Sequence, residues 1–486
     1  MAKIAIIGGG VAGLSAGIYA QLSGHEAHLY ERHFKAGGNL TAWDRDGYHI
    51  DNCIHWLTGT NPVTSLYRTW VDLGALGEGV EVYQGESLYT FLGEEKESVS
   101  LHCDLEKMRD EMLAISKEDR GEILSLIRAV RAFQRINGIS GDRTKKSTAI
   151  EKIFAVPALI KYFRLSTEEL AARFRHPALR GFIESLLCGS LNSLALIMVF
   201  ATFTGGDGGI PRGGSSAMAE RMAKRFLSLG GRLRLRSGVE KINISSGRAE
   251  SITLESGAVE PCDYVIIATD PAAAFGKLLD KSFMPKSLKR EYESPNYERF
   301  SSYHTAFSVD CDSLPFTGDV MFEIPEKYRV ELGTKYLILR EFSHEPSYAP
   351  KGKNIIQTMT YLTEDGAREF IELNQNKEAY KEKKKRLAAV IEKIITERFP
   401  SLRGRLGLID VWTPATYRRF VGSEIGSWMT FLFAANTPPV KLSPEIDGLE
   451  NVFLGTQWLQ APGGLPIAAE RGIAAARAAV KKAGKA

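Results

Sequence analysis

Residues 3–17 constrain this chain more than any other stretch. Lys3-Ile4-Ala5-Ile6-Ile7 is a short apolar run that passes straight into Gly8-Gly9-Gly10-Val11-Ala12-Gly13 and then Leu14-Ser15-Ala16-Gly17. Strand, glycine turn and helix start follow without a spacer, as at the opening of a βαβ unit. In such a unit Gly8 permits the tight turn, Gly10 lets the backbone approach a pyrophosphate, and Gly13 lets helix and strand pack closely. The free N–H groups of the helix start then face the phosphates. A second apolar run, Glu26-Ala27-His28-Leu29-Tyr30, ends in Glu31. That is about the twenty-residue offset at which an acid takes a ribose hydroxyl.

Composition narrows the class. With 486 residues and 44% hydrophobic content, the chain has room for two or three domains with large cores. A formal charge of +4 is mild and does not imply nucleic acid. Basic clusters at Lys145-Lys146, Lys383-Lys384-Lys385-Arg386 and Lys481-Lys482 read first as solvated faces and ends, and they also allow contact with an anionic membrane surface. Cys53, Cys103, Cys188, Cys262 and Cys311 have no metal-ligand or disulfide-scaffold spacing, so no metal site is expected and a reducing cytoplasm is the natural compartment. Leu194 to Phe203 is the longest apolar candidate and is too short to span a bilayer. It reads as a buried or interfacial helix.

After Glu31 come Arg32, Gly37-Gly38-Asn39, the hairpin signal Asp46-Gly47, and Gly47-Tyr48-His49-Ile50-Asp51. This opening resembles FAD-dependent amine oxidase-like flavoproteins, and within them the phytoene (carotenoid) desaturase and retinol saturase branch. Two positions depart from that pattern. Asn39 stands where an arginine usually follows the glycine pair, and Asn52-Cys53-Ile54-His55 follows Asp51 where a glycine is common. Later segments extend the resemblance: Pro211-Arg212-Gly213-Gly214 before a helix, Val239, Ala268-Thr269 after an apolar strand, Gly455-Thr456, and Gly463-Gly464-Leu465 opening an alanine-rich helix.

The resemblance implies FAD as cofactor. It places cofactor contacts at Gly8, Gly10, Val11, Ala12, Gly13, Glu31, Arg32, Gly37, Gly38, Asn39, Val239, Ala268, Thr269, Gly455, Gly463, Gly464 and Leu465. The expected fold is α/β, a Rossmann-like FAD-binding domain built from discontinuous segments with an α+β substrate domain and a helical cap. Residues 1–75, 213–290 and 430–486 would form the first, 76–212 a helical cap and substrate region, and 291–429 a substrate domain with an antiparallel sheet and helices.

Periodicity places helices at Val63–Leu73, Leu105–Ile115, onward from Glu118, and through Leu387–Ile395. A polar loop is expected at Asn137–Ser147, an apolar segment at Ile153–Phe163, and strands at Tyr303–Val309, Val320–Ile324, Tyr336–Leu339 and Ile355–Tyr361.

The expected chemistry is hydride transfer between flavin and a carbon of a hydrophobic isoprenoid, polyene or fatty-acyl-like substrate, desaturating or saturating a C–C bond. A redox-neutral double-bond isomerase or hydratase, and a lipid carrier without catalysis, are the other readings. His55 is the first candidate for proton transfer, with Tyr303 and His304 behind it. A peripheral membrane contact is compatible with such a substrate, and the sequence leaves the oligomeric state open.

Overall fold

The computed structural model describes residues 1–137, 156–157, 159–186, 191–438 and 440–484. The loop expected at Asn137–Ser147 lies outside these residues apart from Asn137. So do Lys145-Lys146, Cys188 and part of the apolar segment Ile153–Phe163.

Five short strands lie parallel in the order Arg232–Arg234, Glu26–Tyr30, Lys3–Ile7, Tyr264–Ile267 and Val452–Leu454. They come from three separated parts of the chain. The connections run in opposite directions from the junction of Lys3–Ile7 with Tyr264–Ile267, which makes that junction the topological switch point. In an open parallel sheet a ligand crevice forms there, at the carboxyl ends of the strands. Helices Val11–Leu22 and Leu465–Ala483 pack together beneath it.

The second sheet has seven strands, in the order Leu406–Trp412, Phe300–Val309, Asn354–Thr363, Tyr336–Glu341, Asp319–Glu323, Ser87–Leu92 and Ser98–His102. All neighbours are antiparallel except Asp319–Glu323 with Ser87–Leu92. The stretch expected to be a helical cap therefore gives two strands to the substrate-side sheet. Helices Leu105–Ile115, Arg120–Asn137, Pro177–Ser185 and Ser193–Thr204 join those strands in one apolar cluster.

One face of the seven-stranded sheet packs on helix Lys377–Arg398 through Tyr303, Phe307, Leu337, Leu339 and Ile356. The other face fronts the crevice. Alternation along each strand decides which side chains reach it. Helix Ser193–Thr204 is buried at most positions, as its sequence implies, with Met198 41% exposed. Among the described residues no helix is long and apolar enough to cross a membrane.

Candidate functional site

The glycine turn and the switch point meet. A Cβ on Gly8, whose φ is 105°, would stand 2.9 Å from Thr269 Cγ2 and 3.1 Å from the Ala268 carbonyl oxygen. Helix Val11–Leu22 starts at Gly10 with no side-chain cap and no acid in its first turn. Its leading N–H groups are thus available to an anion. Gly37 N donates to Gly9 O at 2.8 Å, which lays a second backbone segment along the turn. A Cβ on Gly10 would find only Gly38 Cα at 3.8 Å and Gly37 O at 3.9 Å. Helix Leu465–Ala483 likewise begins without a side-chain cap or first-turn acid, at Gly464, whose φ is 98°. The positive ends of two helix dipoles thereby face one space.

That space is a cavity of about 850 Å³, toward the upper end of the range for small-molecule sites. Gly8, Gly10, Val11, Ala12, Glu31, Arg32, Gly37, Gly38, Asn39, Val239, Ala268, Thr269, Gly463, Gly464 and Leu465 line it. Gly13 and Gly455 do not, and their roles are corrected to packing. A Cβ on Gly13 would collide with the Gly8 carbonyl oxygen, and one on Gly455 would stand 2.8 Å from Ile266 Cγ2 and 3.0 Å from Ala475 Cβ. Glu31 accepts from Gly9 N and from His33 N, each at 2.7 Å. A carboxylate has acceptor positions beyond these two for a ribose hydroxyl.

The cradle fits FAD on independent grounds. Among the described residues Asn39 Oδ1, Ser423 Oγ and Ser427 Oγ are buried without a hydrogen-bond partner, and all three line the cavity. Buried polar atoms without partners are costly, so a polar ligand is what they lack. Ser423 and Ser427 were not legible as site residues. The local signal is the repeated Gly-Ser pair in Gly422-Ser423-Glu424-Ile425-Gly426-Ser427.

Asp51 sets the far side of the cofactor space. Its carboxylate accepts from Ser215 N at 2.7 Å and Ser215 Oγ at 2.6 Å at the start of helix Gly214–Ser228. Ser215 Oγ also accepts from Ile54 N at 3.0 Å, and Arg340 Nη2 donates to Ile54 O at 2.7 Å. Residues 51–54 are thus fixed from helix Gly214–Ser228 and from strand Tyr336–Glu341. Asn52 Oδ1 accepts from the Tyr417 hydroxyl at 2.9 Å, and Asn52 Nδ2 donates to Asn39 O at 3.1 Å. Asn39, one departure from the family pattern, is therefore tied to the residue just before Cys53, the other.

His55 lines the cavity, half-buried. Burial, and then the nearby Arg340 cation, hold it well below the ordinary histidine range. His304 also lines the cavity. Its ring stacks on Trp412 at 4.8 Å, and its Nε2 lies 2.6 Å from Ser302 Oγ and 3.2 Å from the Tyr417 hydroxyl. Burial and Arg340 push His304 down to about 3. Both imidazoles are neutral at neutral pH. Burial, followed by Asp51, pushes the Cys53 thiol up to about 12, so it stays protonated.

Tyr303 is corrected. It is 1% exposed on the opposite face of its strand, and its hydroxyl donates to Lys384 O at 2.8 Å. Strand alternation places either residue 303 or residue 304 toward the crevice, and it is His304 that faces it.

Beyond His304 the cavity becomes apolar. His304, Met359, Ile338 and Met321 are successive cross-strand neighbours and all line the wall. With strands about 4.8 Å apart, this row is about 14 Å long. Leu88, Leu186, Leu191, Ala195, Val199 and Phe300 complete the chamber.

The family profile described as flavin containing amine oxidoreductase matches residues 11–480. The chain belongs to this family. The oxidoreductase is 24% identical over 450 residues to the chloroplastic prolycopene isomerase of Daucus carota, covering 87% of this chain and 71% of that protein. It is 21% identical over 485 residues to the neurosporene-forming phytoene desaturase of Rhodobacter capsulatus, covering 94% and 90%. Among solved structures, an oxidoreductase from Methanosarcina mazei shares the fold with a TM-score of 0.62 at 18% identity, over 100% of both chains. The protein is an FAD-dependent oxidoreductase of the amine oxidase-like superfamily, on its phytoene desaturase-like side.

Proposed function

We propose that this oxidoreductase changes the C–C bond order of an extended isoprenoid polyene. The observation that carries the reading is the cavity itself, which joins the helix N-termini to an apolar chamber floored by the His304–Met359–Ile338–Met321 row. FAD supplies hydride transfer at N5 when bound. The chain's own part is to hold the dinucleotide on Gly8–Ala12, Gly37–Asn39, Val239 and Gly463–Leu465, and to keep water from the chamber. His55 and His304, both neutral, would present hydrogen-bonding nitrogens and no added charge beside the reacting carbons.

The prolycopene isomerase and phytoene desaturase relatives are named for reactions on polyene double bonds. The change proposed for this chain is the one in the desaturase's name. A carrier lacking cofactor is disfavoured by the complete cradle. We read the substrate as reaching the chamber from a membrane or micelle surface past Met198, which is exposed and lines the cavity.

The test incubates the holoenzyme with linear polyenes in micelles and resolves the products. A product with two hydrogens fewer or more supports the reading. A product of unchanged hydrogen count would reassign the reaction to isomerisation, and an unaltered panel would contradict the substrate class.

A further inference from the structure

One part of the chamber is not apolar. Asp319 lines the cavity two residues before Met321, and Arg340 lies two residues after Ile338 on the next strand. Met321 and Ile338 are register partners, so strand alternation brings Asp319 and Arg340 to the chamber side together. Arg340 lies two strand spacings, about 10 Å, and Asp319 three, about 14 Å, from the strand that carries His304.

The two groups meet imperfectly. Arg340 Nε and Asp319 Oδ2 are 3.5 Å apart, too far for a good hydrogen bond. Arg340 is 4% exposed, its Nη2 is spent on Ile54 O, and its Nε has no hydrogen-bond partner among the described residues. Asp319 Oδ1 accepts only a long bond, 3.3 Å, from Glu341 N. A buried donor, Arg340 Nε, therefore stands unpartnered among the described residues behind a half-buried carboxylate, Asp319, that lines the chamber and is only loosely satisfied. Burial is also the largest influence on Asp319, raising it to about 6 against the pull of Arg340.

We propose that Asp319 and Arg340 form a recognition site for a neutral hydroxyl on the polyene, so that the preferred substrate is an oxygenated polyene and not the bare hydrocarbon. The inference rests on the polyene reading of the cavity. A hydroxyl is the group that answers both deficits: its O–H donates to Asp319 Oδ2 while its oxygen accepts from Arg340 Nε. A carboxylate would meet Asp319 with Glu341 behind it, and a hydrocarbon would leave both polar groups unpaired. Sites built to hydrogen-bond a hydroxyl reject the analogue that lacks it strongly, because the buried partners are then stranded.

The experiment compares a linear polyene hydrocarbon with its terminally hydroxylated counterpart, each in detergent micelles with the FAD-loaded enzyme. The wild type is expected to favour the hydroxylated probe by about a hundred-fold or more in kcat/KM, mainly through KM. Asp319→Leu should collapse that ratio to within about five-fold, and Asp319→Asn, which keeps an acceptor, should retain an intermediate preference. FAD retention is read in every variant. If Asp319→Leu loses FAD or fails to fold, the wild-type ratio and Asp319→Asn decide. Equal use of the two probes by the wild type would overturn the hydroxyl site, with water alone bridging the pair, and would leave the polyene reading intact. Failure of the wild type to act on either probe would overturn the polyene reading and this site with it.

Discussion

Gly472 packs directly against the backbone of Ala12, so closely that a Cβ at 472 would collide with the Ala12 carbonyl oxygen. This contact joins helix Leu465–Ala483 to helix Val11–Leu22 and holds both uncapped N-termini on the same cavity. Gly472→Ala should push the helices apart, cost about 1–3 kcal/mol as an overpacked core does, and weaken FAD retention. Thermal unfolding with and without added FAD would show both effects. A variant as stable and as yellow as wild type would refute the crossing as the support of the cradle.

Gly10 and Gly13 look alike in the motif but should behave differently. A side chain at Gly10 meets nothing closer than 3.8 Å and no positive φ is required there, whereas one at Gly13 collides with Gly8 O. Gly10→Val should therefore fold with nearly native stability in the absence of FAD yet fail to retain the flavin, because the branched side chain fills the phosphate path. Gly13→Ala should lose stability and flavin together. Apo-protein melting temperatures separate the two cases.

Asp51 is a buried cap that also positions the loop beside the flavin space. Asp51→Ala leaves Ser215 N and Oγ without their acceptor. Loss of a cap costs about 0.5–2 kcal/mol, and stranding buried donors adds about 1–3 kcal/mol. The unfolding midpoint in urea should fall accordingly. Protease cleavage should increase near residues 52–55, which Ser215 and Arg340 otherwise hold.

The two cavity-lining histidines give the fold a pH dependence with a definite sign. His304, 5% exposed, is held at about 3, and His55 is also held below the usual value. The unfolded chain takes up these protons at about pH 6.5, whereas the native state does not. Stability is therefore fully present above that pH and is lost as pH falls toward 3, by about 1.4 kcal/mol per pH unit for His304, with His55 adding a loss of the same sign. Urea midpoints between pH 7 and pH 4 should fall, and His304→Gln should remove about one proton's worth of the slope. A flat profile in the wild type would contradict the neutral, buried assignment.

What could be read from the sequence was local. The strand, glycine turn and helix at residues 3–22, Glu31 at its offset, and helix Leu105–Ile115 each follow from neighbouring residues. What could not be read depends on partners far along the chain. Alternation shows that Tyr303 and His304 face opposite ways, but only packing against Lys377–Arg398 decides which is inside. Strand Ser87–Leu92 joins the substrate-side sheet through a parallel pairing with Asp319–Glu323, which no local pattern announces. Gly455 reads as a cofactor glycine because it follows a strand, yet its missing side chain makes room for Ala475. The Asp319–Arg340 pair arises only when two strands align in register.

The most direct test of the central claim is anaerobic mixing of the FAD-loaded protein with a panel of linear polyenes while the visible flavin absorbance is followed. Bleaching by a polyene, with matching loss of two hydrogens from it, is the expected result. A protein that purifies without flavin and cannot be loaded with it, or a flavin that stays oxidised with every polyene while an amine bleaches it, would contradict the account.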